Sequence, residues 1–89
     1  MNNVTEIVDR LLALYDLIGR GNWNTDYEKL EEGYNASVED MNIPNNHACR
    51  IWGIMSDVYN REHYGDLGAE PMKYLENELY AYFDQVNRK

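Results

Sequence analysis

The chain is poor in the residues that would mark several common function classes. It has one cysteine, Cys49, which excludes an internal disulfide and removes the cysteine-rich zinc patterns. The bland reading of that thiol is a small buried or half-buried side chain. Long apolar runs are also missing. The longest, "LLALYDLI", is interrupted by Asp16 and is far shorter than the ~20 residues of a membrane span. No basic start followed by an apolar core opens the chain, so no signal peptide is expected and a cytoplasmic location follows. The triplets "NVT" and "NAS" are then chance matches to the glycosylation pattern. Lysine is scarce, with three in 89 residues, and the net charge is −8 with a pI near 4.5. Such a balance repels nucleic acid and anionic membranes, and it favours a basic protein partner.

What remains is material for a small folded domain. Hydrophobic residues make up 44% of the chain, too many for intrinsic disorder. With 89 residues there is room for one domain, 1–89, with a modest core. Tyrosine outnumbers phenylalanine eight to one, so much of the aromatic surface carries a hydroxyl.

Period-two alternation is absent, and four stretches carry helical spacing instead. In the first, Val4, Ile7, Val8, Leu11, Leu14, Tyr15 and Ile18 fall on one face. Asn3 with Glu6 resembles a capping box and Gly19 a stop, which predicts a helix over about 3–19. The turn "GRGNWN" follows and holds Trp23, either a lid on the core or an aromatic for binding. Thr25 and Glu28 form a T-x-x-E box, and Tyr27, Leu30, Tyr34, Val38 and Met41 share a side. A helix over about 26–41 is expected, with Gly33 costing about 1 kcal/mol against Ala and leaving a break possible.

Pro44 among asparagines ends that helix and starts the next. Ala48, Ile51, Trp52, Ile54, Met55, Val58 and Tyr59 then form a wide apolar arc, read as the most buried helix, about 46–62. On its narrower polar side, Gly53 either permits a close helix contact or is merely tolerated. Pro71 suits a first helical position, and Met72, Leu75, Leu79, Tyr82, Phe83 and Val86 make the last stripe, about 71–87. Arg88 and Lys89 suit that helix's negative end. The fold class is therefore all-α, a compact bundle or orthogonal array of about four amphipathic helices.

No catalytic constellation stands out. His47 and His63 lie at opposite ends of one helix, about 24 Å apart at ~1.5 Å per residue. His47 and Cys49 fall on different helix faces, poor geometry for one metal. No Glu-x-x-His pair occurs, and no strand precedes a glycine-rich loop. The expectation is a protein that is not an enzyme and that needs no cofactor or metal.

The acidity itself is local. "TDYEKLEEGYNASVED", residues 25–40, holds six carboxylates and one lysine. On a helical wheel Glu28, Glu32, Asn35 and Glu39 share the outward side, with Glu31 flanking and Asp40 beside them. A merely solvated helix usually carries lysines four residues on from its glutamates; this stripe lacks them. Carboxylates four apart rise by ~6 Å, close to the ~3.4 Å axial step per phosphate of one strand plus its helical sweep. Such a stripe would fit a basic groove made for DNA or RNA and block it. In size and charge the chain resembles the anti-restriction and anti-CRISPR inhibitors carried by phages. That resemblance implies a nucleic-acid mimic acting on a basic, nucleic-acid-binding host protein in a bacterial cytoplasm, with no direct nucleic-acid or membrane binding of its own.

A solvated outer face is the bland alternative. Another is a helical homodimer or assembly subunit, docking through Tyr74, Tyr80, Leu17 and Ile54, which lie off their helices' main stripes. A third is a regulator that docks on a polymerase or repressor without mimicry. Trp23, Tyr74 and Tyr80 are the aromatic candidates for an interface, since tyrosine and tryptophan often anchor one.

Overall fold

The computed structural model describes residues 3–19, 23–65 and 70–87, except for the side chains of 19 and 23–26. Within them lie four α-helices: α1 (Val4–Leu14), α2 (Trp23–Asp40), α3 (Asn45–His63) and α4 (Pro71–Asn87). A π-helical turn, Tyr15–Gly19, extends α1. Each helix packs on its chain neighbours, and α4 closes the ring against α1, giving a small all-α bundle. Its principal extents are 36 × 24 × 18 Å.

Local signals explain most of the helix ends. The Asn3 carboxamide oxygen accepts the Glu6 backbone N–H at 2.9 Å, and its amide nitrogen donates to the Glu6 carboxylate at 3.0 Å. This is the expected capping pair, which satisfies one of the donors a helix start leaves open. Pro71 begins α4 as its fixed φ favours. The α2–α3 link is tighter than proline alone would make it. Asn42 takes φ 55°, the Ile43 N–H reaches the Val38 carbonyl at 3.0 Å, and the Asn42 N–H reaches Glu39 at 3.2 Å. These bonds make a Schellman stop with Asn42 in the left-handed position and buried Ile43 following it.

The start of α2 departs from expectation. The stretch α2 starts at Trp23, three residues before the expected start, so Trp23 and Asn24 are helical rather than part of the turn. Neither residue breaks a helix, and position 25 therefore lies inside the first turn rather than ahead of it. Residues 20–22, the centre of the turn expected over "GRGNWN", lie outside the described residues. As the expected helix over about 26–41 requires, α2 runs unbroken through Gly33. A Cβ there would meet Leu14 Cδ1 at 2.6 Å, so the missing side chain leaves the space that the end of Leu14 fills against α2. Arg88 and Lys89 lie outside the described residues.

The core takes one stripe from each helix. Ile7, Val8, Leu11 and Tyr15 meet Leu30, Tyr34 and Met41, then Ile51, Met55, Val58 and Tyr59, then Leu75, Leu79 and Phe83, all buried. Fully buried Tyr15 donates to the Glu62 carboxylate at 2.6 Å, so the π-turn delivers a phenol to α3. Such a bond to a charged acceptor lets a polar atom sit in the core. At Gly53 an added Cβ would meet no described atom within 4 Å. Gly53→Ala is expected to raise stability by about 0.5–1 kcal/mol, read as an upward shift of the thermal midpoint.

Candidate functional site

The acidic side of α2 is an open face. Glu28, Glu31, Glu32, Asn35, Glu39 and Asp40 are all exposed. From Glu28 to Glu39 they span about 16 Å at ~1.5 Å rise per residue. Glu28, Glu31, Glu32 and Glu39 make no ion pair among the described residues. Asp40 differs, because Arg10 of α1 reaches it across the surface. That pair is solvent-facing and contributes at most about 1 kcal/mol. It removes Asp40 from the free stripe and turns it toward α1.

The electrostatics of α2 run against its own dipole. Its last turn carries Glu39 and Asp40 and no basic residue. The C-terminal end of a helix behaves as about half a negative charge, so carboxylates there are unfavourable. Arg10 offsets this at Asp40 only.

Beside the stripe, between α2 and α3, lies a groove of about 170 Å³. Its floor is apolar and aromatic: Tyr34 and Ala48 are buried, Val38 and Trp52 half-buried. Its rim is exposed: Glu31 and Asn35 from α2, Asn45 and Cys49 from α3. The α2–α3 contact is the slightest of the main helix pairings, which leaves room for it. Tyr34 donates from its hydroxyl to the Ala48 carbonyl at 2.5 Å, tying the two helices below the groove. Burial raises the Tyr34 phenol well above the ordinary tyrosine range and keeps it neutral. Trp52 is held by two tyrosines of α2, with ring centroids 5.8 Å from Tyr27 and 5.1 Å from Tyr34. The wide arc of α3 places Trp52 in the core; it packs against the core but stays half-buried, and it also lines this groove.

The histidines sit as structural polar groups. His47 Nδ1 lies 2.6 Å from the Tyr82 hydroxyl of α4, and His63 stacks on Tyr59 with its Nδ1 2.8 Å from the Tyr59 carbonyl. Burial raises the Tyr82 phenol, and the charge of Arg50 opposes that rise. Among the described residues no group of three or more His, Cys, Asp or Glu side chains could hold a metal ion. No described helix is long and apolar enough to cross a membrane.

The aromatic candidates separate. Tyr80 is 36% exposed on α4, Tyr74 is half-buried against the core, and the side chain of Trp23 lies outside the described residues. Leu17 in the π-turn is 82% exposed, while Ile54 is half-buried. The groove went unread in the sequence because its two walls come from different helices. A visible signal was the position of Trp52 at the margin of its stripe, facing the acidic helix. Comparison with protein-family models, with curated proteins and with solved structures found no significant match to this chain.

Proposed function

We propose that this protein is a non-enzymatic, acidic binding module whose α2 face occupies a basic groove on a nucleic-acid-binding protein, as a nucleic-acid mimic. The observation that carries the reading is the row of exposed carboxylates Glu28, Glu31, Glu32 and Glu39, without an ion pair among the described residues, along one unbroken helix. Helix stability alone does not account for them. Lysines at i+4 would stabilise the same helix, and Glu39 works against the dipole. A rigid helix holds its charges at fixed spacing, which favours fast, steered association with a basic surface and occlusion of its usual ligand. By the same reading the host protein is bacterial, as for the phage-borne inhibitors that this chain resembles in size and charge.

Salt tests this. A partner held by α2 is released from the immobilised protein as sodium chloride rises, because exposed charges are screened over about 8–10 Å at 0.1–0.15 M. A partner retained at high salt and released by detergent contradicts the reading.

A second reading has its own observation, the 82% exposure of Leu17. A homodimer or assembly subunit docked through Leu17 and Tyr80 would run at a multiple of 10.5 kDa on a sizing column, independent of salt.

A further inference from the structure

We propose that the α2–α3 groove receives an arginine side chain of the basic partner, seated against Trp52 and held at the rim by Glu31. The inference rests on the reading of α2 as the docking face, and it names the chemistry of the contact. Three properties of the groove select that occupant. Its volume of about 170 Å³ is below the ~300–1,000 Å³ of cofactor and small-molecule sites, and suits one long side chain. Its floor joins aliphatic surface, Val38 and Ala48, to the indole of Trp52. An arginine buries its methylene stem on such a surface and stacks its planar guanidinium on an aromatic ring. Its rim supplies acceptors, the Glu31 carboxylate and the Asn35 carboxamide oxygen, on the side of the groove that joins the acidic stripe.

Charge complementarity leaves the position open for a cation. Glu31 has no ion pair among the described residues. Lys29 lies on the opposite flank of α2 on the helical wheel. Lysine fits less well than arginine, because its ammonium is a compact, strongly hydrated charge without a plane to stack or a fork to match a carboxylate. The stripe then reads charge over its length, and the groove reads one arginine at its edge. This is the arrangement by which an interface combines steering with a buried anchor.

Titration of the isotope-labelled protein with the blocked pentapeptide Gly-Gly-Arg-Gly-Gly and its lysine counterpart, at low salt, tests the proposal by nuclear magnetic resonance. The arginine peptide is expected to shift the Trp52 indole N–H and the Asn35 side-chain amide, with a midpoint at least about fivefold below that of the lysine peptide. Glu31→Gln, an exposed substitution that spares the core, is expected to abolish the Asn35 and Trp52 responses. The backbone amides of Glu28, Glu32 and Glu39 should still respond to both peptides. Equal shifts from both peptides at the stripe, with the Trp52 indole unmoved, would overturn the groove assignment and leave the acidic face standing. No shift at either place would overturn both.

Discussion

Reversing Glu28, Glu32 and Glu39 together to lysine is expected to abolish partner binding while leaving the helical circular-dichroism signal unchanged. Each reversal changes the charge by two units, so the chain's −8 becomes −2. A charge pair at 4 Å is worth about 1 kcal/mol even at the dielectric of water. Three lost attractions replaced by three repulsions thus amount to about 6 kcal/mol, or roughly a 10⁴-fold loss of affinity. The fold should tolerate the change because all three side chains are exposed. Lysine and glutamate have similar helix propensities, and a lysine at position 39 suits the negative end of α2. Unchanged binding by a folded triple variant would make the stripe a solvated surface and nothing more.

The second large effect is on stability. Tyr34→Ala should lower it by about 3–5 kcal/mol, the range for deleting a buried aromatic ring. Tyr34 is 2% exposed, lies against Trp52, and bonds to the Ala48 carbonyl across the α2–α3 seam. For a domain of this size each kcal/mol moves the thermal midpoint by about 4–8 °C, so the loss is large against a total of about 5–15 kcal/mol. Tyr34→Phe keeps the ring and should lose only about 0.5–1.5 kcal/mol. The same pair separates a pH effect. The buried phenol holds its proton in the folded state beyond the unfolded value near 10. Above about pH 10 the unfolded chain therefore binds fewer protons than the folded one, and stability falls as pH rises. Tyr34→Phe should flatten that alkaline decline in urea titrations at pH 9–11. Trp52→Ala belongs to a different class, because Trp52 is only half-buried.

The residues that act through near neighbours were legible in the sequence. Asn3 with Glu6 and Pro71 announce helix starts, and the apolar spacing of α1, α3 and α4 names most of the core. Pro44 among asparagines marks the end of α2 in the sequence, while the stop itself is Asn42 in the left-handed position, which only the backbone shows. The residues that act across the fold were not. Gly33 reads as a weak point in α2 until Leu14 is seen against it. Asp40 reads as part of the stripe until Arg10, thirty residues earlier, is seen beside it. The π-turn at Tyr15 has no local marker; it matters through Glu62 on α3. The groove follows the same rule, since Glu31 and Trp52 become neighbours only when α2 meets α3.

On the proposed reading, α2 stands where a nucleic acid would. The most direct test holds the immobilised protein in bacterial lysate at low salt, then elutes with short duplex DNA at constant ionic strength and identifies the eluate by mass spectrometry. A mimic gives release of a basic, nucleic-acid-binding protein by the DNA, and no capture of it by the triple lysine variant. A partner that stays bound while it also binds the DNA would contradict the account, as would recovery of the bait alone.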